Sequence, residues 1–148
     1  MKKQEMIELL KTDVPKWNAW REENPEAKID LSGVDFRRAN LVRADLRGAD
    51  LRHADFRSAD LEYADFREAD IKRSNFNYAN LKGSNFSYAD LRGAELGDAT
   101  LRHANLRRAV LYAADLSYAD LSNADLSNAD LRDADFSYID QLEMLEIF

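Results

Sequence analysis

Residues 34–61 read VDFRRANLVRADLRGADLRHADFRSADL, and a large apolar side chain returns at every fifth position: Phe36, Leu41, Leu46, Leu51, Phe56 and Leu61. Outward from this stretch the register holds without a slip from Leu31 to Phe136. Ala stands two residues before most of these positions, as at Ala39, Ala44, Ala49 and Ala54, with Val34, Ser74 and Ser84 as replacements. Asp or Asn fills most of the intervening positions, so the unit is Ala-Asp/Asn-Leu/Phe-x-x.

A period of five suits neither regular element. On an α-helix five residues advance roughly 500°, so successive leucines fall about 140° apart around the cylinder. On a straight strand, residues five apart point to opposite faces, and half the leucines would meet water. The chain must therefore turn once per repeat. Ala and the following Leu or Phe, two apart, share the inward face; the Asp or Asn between them points out, and the two x residues form the corner. Coils built this way stack through strand-like backbone hydrogen bonds, and each needs neighbours to bury its interior.

The unit resembles the A(D/N)LXX repeat of the pentapeptide-repeat family over about 22 consecutive repeats, residues 29–140. The resemblance implies an all-β fold: a right-handed, four-sided parallel β-helix with one repeat per side. With four sides, residues 20 apart stack, and the sequence agrees independently, because Phe36, Phe56 and Phe76 fall in one column and Phe66 and Phe86 in another. At roughly 4.8 Å per coil the rod is about 26 Å long.

Both ends of such a stack expose unpaired backbone that needs a cover. Residues 1–28 read as a helical N-terminal cap: Met6, Ile7, Leu9 and Leu10 mark a first helix, and Asp13-Val14-Pro15 opens a second, with Asp13 as N-cap. Trp17 and Trp20 share a face of that helix and are expected on the first coil. Residues 141–148 read as an apolar cap or a dimerisation tail, with Leu142, Leu145, Ile147 and Phe148 as its contacts and a homodimer through this end as one outcome.

Nothing in the pattern assembles a reaction centre. His53 and His103 lie two and a half coils apart, on opposite sides of the rod, and cannot share a metal. With no cysteine there is no thiolate site, and neither a phosphate-binding glycine loop nor a calcium repeat occurs. The columns of Asp, such as Asp50, Asp70 and Asp90, read as acceptors for corner amides, with arginines relieving their repulsion. Catalytic residues, cofactor and metal are all expected to be absent. Arg52, Lys72, Arg92 and Arg132 form a basic corner column open to phosphate, but interleaved Asp makes an ion-paired surface the better reading, and direct nucleic-acid binding is not expected.

The net charge of −7 is unevenly placed: residues 109–148 hold nine acids against Arg132 alone. The leading expectation is a non-enzymatic protein-binding or scaffold module acting through the faces of the rod, with Tyr78, Tyr118 and Tyr138 as a contact stripe. An alternative comes from family members that inhibit or protect gyrase, a type II topoisomerase, by imitating DNA. Regulation of a transcription or differentiation factor is a second alternative. The missing cysteines, and the lack of a long apolar segment near the start, point to the cytoplasm and to an unidentified protein partner without membrane association.

Overall fold

The structure, a computed structural model, describes residues 1–140 together with Glu143 and Met144. Two helices come first, α1 (Lys3–Thr12) and α2 (Val14–Glu23). Asp13 ends the first and caps the second, its side chain accepting the Lys16 N–H, and proline stands in the first turn of α2.

From Ile29 onward the chain winds in coils of 20 residues. Every bridge joins residues 20 apart in parallel, from Asp30 with Asp50 to Asp115 with Asp135. That spacing gives four pentapeptide sides per coil. On one side, Phe36 N–H donates to Asp55 O, Arg38 N–H to Arg57 O, and Asp55 N–H to Val34 O, at 2.7, 3.0 and 2.9 Å. The same three bonds recur along the rod.

Contrary to the expectation of an all-β chain, no extended strand forms among the described residues; each side contributes one isolated bridge. The reason is geometric. A tight turn every five residues leaves too few extended residues between corners for a ladder. The residue two after each Leu or Phe has positive φ, between 57° and 68°, at every corner from Gly33 to Tyr138. The amide that follows closes the turn onto the Leu or Phe carbonyl, as Ala39 N–H does onto Phe36 O at 3.0 Å.

Only four of these corner positions are glycine: Gly33, Gly48, Gly83 and Gly93. The others hold Arg, His, Ser, Tyr, Glu, Asp, Asn or Ala, and none holds Val, Ile or Thr, whose branched Cβ is the least tolerant of this conformation. Asn123→Val should therefore cost about 1–3 kcal/mol. Urea denaturation checks this, and an unchanged midpoint would contradict the turn geometry.

Inside, the Leu, Phe and Ala of the middle coils are fully buried. Phe36, Phe56 and Phe76 stack at centroid spacings of 5.1 and 4.7 Å, and Phe66 and Phe86 at 4.6 Å. The two columns arise from opposite sides and meet edge to face, at 5.7 Å for Phe66 and Phe76. Ser74 and Ser84, at Ala positions, satisfy their buried hydroxyls on the Ile71 and Leu81 carbonyls.

Candidate protein-contact surface

The outer faces are built from the Asp and Asn side chains, each of which reaches forward two residues to accept a corner amide. Arg37 N–H donates to Asp35 Oδ1 at 3.0 Å, and Ser117 N–H to Asp115 Oδ1 at 2.9 Å. The motif fails at Glu95, whose side chain is too long for it. There Asn77, one coil below, accepts the Gly97 N–H at 2.8 Å.

Where Asp precedes and Arg follows the Leu or Phe, the guanidinium folds back onto that carboxylate with two bonds, as Arg52 does on Asp50 at 2.9 and 2.7 Å. The expected basic column is therefore a column of ion pairs. Arg52 Nε also lies 3.7 Å from Asp70, Lys72 bridges Asp70 and Asp90 at 3.1 and 3.7 Å, and Arg92 and Arg132 hold Asp90 and Asp130 at 2.6 Å each. From Asp50 to Asp90 cation and carboxylate alternate up this corner, so a cation stands between each stacked pair of carboxylates there.

These bonds hold the carboxylates ionised. The Arg52, Arg57 and Arg132 side chains keep Asp50, Asp55 and Asp130 below the ordinary carboxylate range, Asp130 at about 2. Because the folded values lie below the unfolded value of about 3.9, this stabilisation is complete above that pH and fades as pH falls toward 2. The urea midpoint should therefore be flat from pH 7 to 5 and drop between pH 4 and 2, less steeply in Asp50→Asn. A midpoint that rises on acidification would contradict the pairing.

The tyrosine stripe divides in two. Tyr118 and Tyr138 stack on each other at 4.5 Å, whereas Tyr78 stands apart, separated from them by Asp98 in the same corner column. All three rings are exposed. The coil geometry puts His53 and His103 at opposite corners, and no group of acids and histidines able to hold a metal occurs among the described residues.

At the N-terminal end, α2 supplies side chains where a lower coil would supply backbone. In the stack, Asp65 N–H donates down to Ala44 O, and Asp65 O accepts from Leu46 N–H. At Asp45, which has no coil beneath it, Asn18 Oδ1 accepts the N–H and Trp17 Nε1 donates to the carbonyl, both at 2.9 Å. Arg21 Nη2 donates to Arg47 O at 2.7 Å, and Lys3 Nζ to Ser32 O at 2.8 Å. Trp17 is fully buried and Trp20 half-buried beside it, 5.5 Å away. Burial pushes the Arg21 guanidinium below its ordinary value, with the Asp45 carboxylate opposing that shift.

The sequence reading missed Asn18 and Arg21. The only available signal was their spacing around Trp17 on one helix, i+1 and i+4. At the other end, Glu143 and Met144 are described: Glu143 accepts the Ser122 hydroxyl and Met144 packs against the core. Leu142, Leu145, Ile147 and Phe148 lie outside the described residues. No helix among the described residues is long and apolar enough to cross a membrane.

Comparison with solved structures returns rods of the same kind. A pentapeptide-repeat protein, Rfr23, from the cyanobacterium Cyanothece 51142 is 24% identical, with 80% of this chain and 97% of that one aligned and a TM-score of 0.71. HetL of Nostoc sp. strain PCC 7120, a pentapeptide-repeat protein involved in heterocyst differentiation regulation, is 38% identical over 73% of this chain and 53% of its own, with a TM-score of 0.56. A pentapeptide-repeat protein of the Arabidopsis thaliana thylakoid lumen is 26% identical over 84% and 80%, with a TM-score of 0.54. Curated protein sequences return no significant match. The sequence profile described as "Pentapeptide repeats (8 copies)" matches overlapping stretches that together run from residue 29 to 140. The period of five, the four-sided coil and this match agree: the chain belongs to the pentapeptide-repeat family.

Proposed function

We propose that this protein is a non-enzymatic binding module that engages another protein through the outer faces of a rigid, capped stack of coils. One observation carries the reading. The outward carboxylates and most of the arginines are spent on corner amides and on each other, which makes them structural, and the large exposed side chains outside those pairs are the corner tyrosines. Tyrosine offers large contact area at small entropic cost, as contact surfaces require. We take the coil to be right-handed, as the family resemblance implies, and the site of action to be the cytoplasm.

Regulation of a differentiation or transcription factor is a more specific form of the same reading, favoured by the 38% identity to HetL. Topoisomerase inhibition by DNA imitation has less support. The carboxylates of the first four coils are largely neutralised by their own arginines, and uncompensated acidity is confined to residues 109 onward.

The test is partner retention. The immobilised parent should retain a defined protein from an extract of its source organism, and a Tyr118→Ser, Tyr138→Ser variant with unchanged urea midpoint should retain at least tenfold less. If the parent retains no more than a heat-unfolded sample, the binding reading is wrong. Gyrase supercoiling should be unaffected at micromolar protein; inhibition there would favour DNA imitation instead.

A further inference from the structure

Exposed tyrosines on this rod are covered by the residue 20 positions away, on the adjacent coil. Arg43 lies over the Tyr63 ring at 4.8 Å, Arg108 over Tyr88 at 5.9 Å and Arg132 over Tyr112 at 5.6 Å, while Tyr118 and Tyr138 cover each other. Tyr78 breaks the rule. Its corner neighbours are Ser58 below and Asp98 above, neither of which can cover a ring, and Tyr78 is 67% exposed.

Below Ser58 the next corner residue is Arg38, which has no ion-pair partner among the described residues. The small serine between a large cation and a large ring leaves an open cleft of about 620 Å³, lined by Asp35, Arg37, Arg38, Arg57, Ser58 and Tyr78. Two coils separate Arg38 from Tyr78, about 10 Å at 4.8 Å per coil. A flat ring needs about 3.5–4 Å to the atoms on each face, so one ring fits this slot and two do not.

Three arginines line the cleft against one carboxylate, Asp35, and two of them are held in place. Arg37 spends Nε and Nη2 on Asp35, and Arg57 spends the same atoms on Asp55. Each keeps its Nη1 edge free for a second anion. With both guanidiniums already fixed by their carboxylates, an incoming anion meets donors that lose little freedom on binding. The uncompensated acids begin at Asp115, nearly three coils or about 14 Å above Ser58. That exceeds the Debye length of about 8 Å at physiological salt, so their repulsion of an anion here is screened.

We infer that the Arg38–Ser58–Tyr78 slot receives an aromatic side chain of a partner polypeptide, flanked in that partner by carboxylates that bind Arg37 and Arg57. The ring is sandwiched between the Arg38 guanidinium and the lower face of Tyr78, with Ser58 as the floor. Asp98 occupies the corner position above Tyr78, which directs the ligand to the lower side. This deepens the protein-binding reading and rests on it.

The test is an NMR titration of the full chain with the acetylated, amidated pentapeptide Asp-Glu-Tyr-Glu-Asp. Its alanine counterpart, with Ala for the central Tyr, and phenyl phosphate are the comparison probes. The amides of Arg38, Ser58 and Tyr78 should shift and saturate with the tyrosine peptide, and the alanine peptide should bind at least tenfold more weakly. Ser58→Tyr should abolish binding by filling the slot with a side chain that this corner conformation already accepts at Tyr63 and Tyr88. Arg38→Gln, at an exposed corner position, should weaken binding several-fold and keeps the test valid if Ser58→Tyr folds poorly.

No shift at these three amides in the parent, equal binding of the two peptides, or undiminished binding by well-folded Ser58→Tyr would each overturn the inference. So would saturation by phenyl phosphate alone, which would reassign the slot to a free aromatic anion. None of these results affects partner retention through Tyr118 and Tyr138, so failure here and failure of the binding reading are separate outcomes.

Discussion

Phe66→Ala is expected to lower the unfolding free energy by about 3–5 kcal/mol, the usual cost of emptying a buried aromatic site. Phe66 is fully buried, stacks on Phe86 at 4.6 Å and meets Phe56 and Phe76 edge to face at 6.1 and 5.7 Å. Deletion removes three ring contacts at once. The ring sits second in its column, between coils hydrogen-bonded above and below, so the void cannot collapse without breaking backbone bonds. Phe66→Leu should cost much less, about 1–2 kcal/mol, because leucine already fills the same column at Leu46, one coil below, and Leu106, two coils above. Urea denaturation of the three proteins measures this. A loss below 1 kcal/mol in Phe66→Ala would mean that the interior is loosely packed and the ring columns carry little of the stability.

The second large effect is at the cap. Trp17→Ala should cost about 3–5 kcal/mol and make the protein associate through the uncovered end. Trp17 contributes a fully buried ring, a bond from Nε1 to the Asp45 carbonyl and a platform 6.0 Å from the Arg21 guanidinium. Without it, Asp45 O loses its best donor, Arg21 loses its packing, and the lower edge of the first coil becomes a template for another chain. Trp17→Phe retains most of the area and loses the bond, for about 1–2 kcal/mol. Thermal melting and light scattering report the two consequences separately. A stable Trp17→Ala protein with the mass of the parent would show that the helices are an appendage and the coil edge needs no cover.

Much of this architecture is legible in the sequence because the period admits one solution. Leu31 through Phe136 can all point inward only if the chain turns at each repeat, and the spacing of Phe36, Phe56 and Phe76 by 20 agrees with the four sides that the family resemblance implies. The corner conformation leaves its own trace, the exclusion of β-branched residues from one position in five, although that trace is visible only once the turn is known. Asp as a corner acceptor is legible for the same reason: its spacing to the amide it binds is local, two residues, and identical in each repeat.

Contacts between coils are less legible. Pairing of Arg52 with Asp50 is local, but its approach to Asp70, and the substitution of Asn77 for the acceptor that Glu95 cannot supply, depend on which rotamers the neighbouring coil leaves open. The same holds for the tyrosines. Tyr78, Tyr118 and Tyr138 look equivalent in the sequence, yet Tyr118 and Tyr138 cover each other while Tyr78 faces a serine.

The sequence by itself determined a coil that turns at each repeat, the inward Leu, Phe and Ala, and the outward Asp, because a strict short period leaves a chain of L-residues no other way to bury its apolar side chains; its likeness to the pentapeptide-repeat family supplied the four sides. Only the tertiary structure decided how Asn18, Trp17 and Arg21 stand in for a missing coil, and that Arg38 and Tyr78 flank an open slot. Those features join residues with no periodic relation or depend on the size of one side chain between two others, and such placements are settled by packing in three dimensions.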